Sequence, residues 1–196
     1  MKDIEQVLDF IVEIDKLKDI YRKTRPTGLC RYENSAEHSW QVCLAALMLK
    51  DYADEIVDIN RVIIMLLIHD LGEIDAGDTI VYEDKSSEAE KKEEAGVMRI
   101  LKLLPNGKDK MYMDLWYEFE KGETPDAQFA KAMDRVPPVL HNLYGKDDNW
   151  GHSWRENKVS KEQVFTVNSS IAKGSKKLWQ VIKAKLETAI EQGIFK

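Results

Sequence analysis

A chain of 196 residues, 43% hydrophobic and 33% charged, is long enough for one domain with a sizeable core and too apolar to be disordered. Its formal net charge of -6 and pI near 5.4 argue against a surface that tracks a nucleic-acid polymer. Cys30 and Cys43 form no CxxC, the start Met1-Lys2-Asp3-Ile4-Glu5 has no apolar leader, and the run Val62 to Ile68 is too short for a bilayer, so a reducing cytoplasm and no membrane partner are expected.

Residues 3 to 18 place Ile4, Val7, Leu8, Ile11, Ile14 and Leu17 at helical spacing and predict a first amphipathic helix. Tyr21 to Asn34 centres on Pro26-Thr27-Gly28 and predicts a loop, the most basic in the chain, with Arg22, Lys23, Arg25 and Arg31. It reads either as a solvated connector or as cationic side chains for an anion. Ser35 then fits an N-cap for a second helix that carries His38 in its first turn and Trp40, Val42, Cys43, Leu47 and Met48 as its apolar residues. Asn60 is a candidate cap for a third helix whose apolar body, Ile63 to Ile68, delivers His69 and Asp70 into the interior. Gly72 and Gly77 break that helix and let Glu73 and Asp78 fold back toward the same point.

The charged stretch Val81 to Glu94 reads as a solvated face with a helix start at Ser86 or Ser87, and its apolar continuation stops at Pro105-Asn106-Gly107. Leu115, Trp116 and Phe119 make an aromatic stripe of core type. Thr124 as N-cap and Pro125 at N1 open a helix through Phe129, Met133, Val136 and Leu140, with a kink expected where Pro137 and Pro138 cannot donate to Met133 and Asp134. Asp134 therefore sits on or near an apolar face, with either a salt bridge to Lys131 or Arg135, or a cation, to remove the cost of its burial. Residues 142 to 157 read as loop, Ser160 to Gln163 as a capping box, and the last helix runs from near Ser175 to Gly193; His141 and His152 have no nameable partner. Strand patterns are scarce, so the class is all-α.

His38, His69, Asp70 and Asp134 come from three helices and form a mixed nitrogen and oxygen set. Such a set suits one divalent ion such as Mn, Co, Ni, Fe, Zn or Mg, with positions left for water and substrate. Glu73, one turn after His69, can take a proton from water, and Arg22 or Arg31 can hold a phosphate's remaining charge.

The runs Arg31-Tyr32-Glu33-Asn34-Ser35-Ala36-Glu37-His38-Ser39, His69-Asp70-Leu71-Gly72-Glu73 with Gly77-Asp78, and Lys131-Ala132-Met133-Asp134 resemble the HD-domain metal-dependent phosphohydrolases, and within them the 5'-deoxynucleotidase branch. The resemblance spans roughly residues 20 to 140 and implies a single HD-domain helical bundle over residues 1–196, with helices of 160–193 packing on it. It implies His38, His69, Asp70 and Asp134 as metal ligands, Glu73 on the attacking water and Asp78 on the sugar. It further implies a small nucleotide substrate and a homodimer. In that branch an Arg-Trp pair helps to exclude a 2'-hydroxyl, and the nearest match here is Arg22-Lys23. Two other readings are an HD phosphohydrolase acting on a pyrophosphate, a nucleoside triphosphate or a cyclic nucleotide, and a regulatory helical module that holds the metal structurally.

Overall fold

The computed structural model describes residues 1–82 and 86–195, so the segment Glu83 to Lys85 of the expected solvated face lies outside the described residues. Helix α1 is Lys2–Ile14, α2 Ser35–Leu49, α3 Ile59–Ile68, α4 Glu73–Ala76, α5 Ser87–Leu101 and α6 Lys108–Lys121. Then come α7 Pro125–Tyr144, α8 His152–Glu156, α9 Lys161–Asn168, α10 Ile171–Gly174 and α11 Lys176–Glu191. Among the described residues there is no strand, only an isolated antiparallel bridge between Tyr21 and Asn34.

Helix α7 is the centre of the packing. It is met by α2, α3, α6 and α10, and its buried face carries Phe129, Met133, Val136 and Val139. One hydrophobic cluster runs from Leu17 to Ile194, so the C-terminal helices share the core of the first seven. The helix continues through Pro137 and Pro138, and the Asn142 side-chain amide donates to the Pro138 carbonyl at 3.0 Å.

Several boundaries differ from the sequence reading. The expected first helix ends at Ile14 and tightens into a 3-10 turn over Asp15–Asp19. Asn34, not Ser35, caps α2, in a capping box with Glu37 that frees the Ser35 hydroxyl for other work. Asp58, not Asn60, caps α3, because its carboxylate reaches the backbone N–H groups of both Asn60 and Arg61. The stretch read as loop after Asn142 contains α8, and a fourth short helix, α10, precedes α11. Thr124, Ser160 and Ser175 do cap α7, α9 and α11 as their types suggest.

Two close approaches place α4. Gly72 lies so near α5 that a Cβ on it would stand 2.4 Å from the Glu93 carbonyl oxygen. Gly77 ends α4 at φ 80°, a conformation that favours glycine and turns the chain toward Asp78.

Candidate active site

His38, in the first turn of α2, is fully buried, and its Nε2 lies 2.9 Å from Asp134 Oδ1 on α7. His69 directly follows α3. Its Nδ1 donates to the Leu66 carbonyl at 2.8 Å, which commits Nδ1 and leaves Nε2 as the ring atom that faces the carboxylates. That Nε2 is 3.1 Å from Asp70 Oδ1 and 3.5 Å from Asp134 Oδ1, yet it makes no hydrogen bond. The indole of Trp116 donates to the His69 carbonyl at 3.1 Å, and the Phe119 ring packs 5.2 Å from the imidazole, so α6 locks this turn in place.

Three of the four expected ligands, His38, His69 and Asp134, offer nitrogen and oxygen atoms that all lie within 4.8 Å of one another. Asp70 lies beside His69 but turns its other oxygen to Arg22, whose Nη1 donates to Asp70 Oδ2 at 2.7 Å. Burial alone would raise the pKa of both aspartates. The two histidines outweigh it at Asp134, and His69 and Arg22 outweigh it at Asp70, so both carboxyls are held well below the usual range. Burial disfavours a charged His69, but Asp70 and Asp134 together pull its affinity for a proton well above normal. Carboxylates that draw a proton so strongly draw a divalent cation to the same lone pair. A buried imidazole nitrogen without a partner, a second imidazole and two ionised carboxylates therefore fit a divalent ion.

Glu73 opens α4 and is buried. Its Oε2 accepts from the Ser35 hydroxyl at 2.6 Å, and Oε1 stands 3.9 Å from Arg22 Nη1. Burial first, and the Asp70 charge second, push its carboxyl well above the normal value, while Arg22 partly offsets them. Asp78 Oδ1 is 3.8 Å from the same guanidinium, and its carboxyl is also raised by burial.

The basic loop divides into two halves. Arg22 is not a solvated connector: its N–H donates to the Glu33 carbonyl and the Glu33 N–H to the Thr24 carbonyl, which pins the side chain inward among Glu33, Asp70, Glu73 and Asp78. Burial works against its charge, and those carboxylates more than compensate. Arg31 is not brought to the site. It is half exposed and donates to Glu37 at 2.8 Å.

A cavity of about 290 Å³ opens beside this cluster, lined by Arg22, Lys23, His69, Asp70, Glu73, Asp78, Asp134 and residues beyond them. Of the two salt-bridge partners offered for Asp134, Arg135 places its Nε 3.9 Å from Asp134 Oδ2, while Lys131 lies 4.6 Å over the Phe119 ring on the cavity wall. Sequence alone marks Ser35 only as a cap and gives Glu33 no role; Ser35 donates to Glu73, and Glu33 Oε2 stands 3.5 Å from His38 Nδ1. Ser35, His38 and Ser39 share one buried face of α2, a spacing of three and four that a helical projection displays. Trp154 and Asn168 also line the cavity, and no periodicity in their short helices marks them.

The sequence profile of the HD-domain family matches residues 14–179. The chain is 28% identical to the 5'-deoxynucleotidase HDDC2 of Danio rerio over 144 residues, 70% of this chain and 68% of that one. It is 27% identical to the human protein of the same name over 140 residues, 68% of this chain and 65% of that one, so these matches span about two thirds of the relatives. Among solved structures it is similar to a "predicted metal-dependent phosphohydrolase" from Magnetospirillum magnetotacticum, at 40% identity and TM-score 0.90 over 99% of this chain and 98% of that one. A conserved hypothetical protein from Pyrococcus furiosus, 22% identical with TM-score 0.56 over 91% of this chain and 98% of that one, shares the fold.

Proposed function

Because this chain belongs to the HD-domain family, we propose that it is a metal-dependent phosphohydrolase that removes phosphate from nucleoside 5'-monophosphates. The observation that carries this reading is the His69 ring, whose Nδ1 is committed to Leu66 while its buried Nε2 faces Asp70 and Asp134 without a hydrogen bond. His38, His69, Asp70 and Asp134 would hold one divalent ion. When bound, such an ion lowers the pKa of water and polarises a phosphoryl oxygen.

The chain's own residues supply the rest. Glu73, oriented by Ser35, takes the proton of the attacking water, and its raised carboxyl pKa suits a group that must both accept and release a proton. Arg22, a largely buried cation of the cavity wall, would turn from its carboxylates to the phosphate oxygens of the substrate. Asp78 accepts from a sugar hydroxyl. Water adds to phosphorus as the bond to the 5'-oxygen breaks, giving a nucleoside and inorganic phosphate.

The name of the HDDC2 relatives supports this substrate class, and the name of the Magnetospirillum neighbour supports metal-dependent phosphohydrolysis. Among the described residues no helix is long and apolar enough to cross a membrane, and both cysteines are free thiols, which suits the expected cytoplasm. The experiment is a panel of nucleoside monophosphates assayed for phosphate release with Mn, Co, Mg and Zn in turn. Metal-dependent release from at least one of them is expected, and its absence across the panel would refute the reading.

A further inference from the structure

The ligand cluster, Glu73 and Arg22 make up part of the cavity lining, and the proposed chemistry leaves another part unused. That part carries Ile80, Tyr82, Pro138, Ser153, Trp154 and Asn168, with Trp154 and Asn168 both hydrogen-bonded to Tyr82. Trp154 lies on α8 and Asn168 ends α9, so helices after α7 help to line the pocket whose catalytic groups come from α7 and the segments before it.

A count of hydrogen-bonding capacity on this wall leaves a remainder. Tyr82 Oη accepts from Trp154 Nε1 at 3.0 Å and from Asn168 Nδ2 at 3.3 Å, which fills its lone pairs. Its own proton has no acceptor among the described residues. Asn168 Nδ2 gives its other hydrogen to the Val164 carbonyl at 2.8 Å, while Oδ1 receives no donor among the described residues. Ser153 Oγ accepts from Asn142 Nδ2 at 3.3 Å, and its proton is likewise unclaimed among the described residues. Two donors and one acceptor thus stand on a wall otherwise made of aromatic and aliphatic surface. Groups of this kind, once covered by a purely apolar ligand, would be left unpaired at a cost, so the wall selects a ring that carries acceptors and N–H donors on its edge.

We propose that this part of the cavity is the subsite for the heterocyclic base of the nucleotide, with the Tyr82 hydroxyl donating to a ring acceptor and Asn168 Oδ1 accepting from a ring N–H or amine. The proposal rests on the phosphohydrolase reading for the position of the phosphate. It makes the base, and not only the phosphate and sugar, a source of affinity. Ile80 and Pro138 supply apolar contact, and the enclosed volume suits a single nucleotide and not a polymer.

The test compares kcat/KM for the four common deoxynucleoside 5'-monophosphates with that for 2-deoxyribose 5-phosphate, all with the same divalent ion. In the wild-type protein at least one nucleotide should exceed the bare sugar phosphate by tenfold or more, and Tyr82→Phe should lower that ratio about tenfold. A wild-type ratio near one for all four, or a ratio unchanged in Tyr82→Phe, would overturn the subsite. Tyr82→Phe also takes the acceptor from Trp154 and Asn168, so its melting temperature is measured alongside; if it does not fold, the wild-type ratio alone decides. If neither ligand class is hydrolysed, the phosphohydrolase reading falls. The same comparison is then made by titration calorimetry with the intact ligands, and equal affinities would overturn the subsite.

Discussion

Asp134 and Glu73 are both buried carboxylates, and their surroundings push them in opposite directions. Two imidazoles hold Asp134 ionised, while burial and the neighbouring Asp70 charge hold Glu73 toward its protonated form. That separation is what a ligand and a proton acceptor require of one acid type. Ser35→Ala removes the one hydroxyl on Glu73 Oε2 and is expected to lower kcat about tenfold with little change in KM and unchanged metal content, with Ser35→Thr restoring part of the loss. A full retention of kcat would show that Glu73 needs no such support. Lys23 lines the cavity next to Arg22, at the position that the family resemblance sets against a tryptophan. An ammonium there offers a hydrogen bond to a 2'-hydroxyl instead of a clash, so kcat/KM for AMP and dAMP should agree within roughly tenfold. A hundredfold preference for dAMP would assign the discriminating wall to another side chain. The cysteines behave as their settings dictate: burial pushes the Cys43 thiol up to about 11, while Cys30 is exposed. One thiol per chain should therefore react rapidly with a disulfide reagent at pH 8 and two after denaturation; two fast thiols in the native protein would contradict the packing around Cys43.

At the scale of elements, the positions of the candidate ligands were legible wherever a side chain sits at a helix end or on a helix face. His38 in the first turn of α2, His69 after α3 and Asp134 on the apolar side of α7 are placed by spacing and hydrophobic pattern, while the family resemblance supplies their role as ligands. The basic loop was not legible in the same way. Arg22 and Arg31 are equivalent as sequence, and only the hydrogen bonds joining Arg22 to Glu33, and Glu33 to Thr24, send one inward and leave the other with Glu37. Trp154 and Asn168 were invisible because helices of five and eight residues carry little periodicity, and their place on the wall depends on packing against distant parts of the chain. The tight contact of α4 with α5 gives a test of the element that carries Glu73. Gly72→Ala drives a methyl into the Glu93 backbone and should cost about 1 to 3 kcal/mol of stability together with most of the turnover. A variant with the wild-type melting temperature would show that α4 can move away freely.

For the whole molecule, the family resemblance implies a homodimer, and we propose the outer face of α2 as the surface that pairs. Trp40, Leu44, Leu47 and Met48 are exposed on successive turns, and no Asp, Glu, Lys or Arg occurs between Glu37 and Lys50. A two-fold axis sets a surface against itself, which an uncharged stripe tolerates and a charged one resists. Sedimentation should give twice the 22.7 kDa chain mass, and Trp40→Glu should give the single chain; a wild-type monomer would leave this face to another partner. The central claim is that His38, His69, Asp70 and Asp134 hold an ion at which Glu73 handles water. Metal content and phosphate release from dAMP are therefore measured on one preparation each of wild type and Glu73→Gln. The account predicts equal metal in the two and a loss of at least about a hundredfold in kcat for the variant, because the amide keeps the shape and accepts no proton. Near-wild-type turnover in Glu73→Gln, with its metal retained, would contradict it.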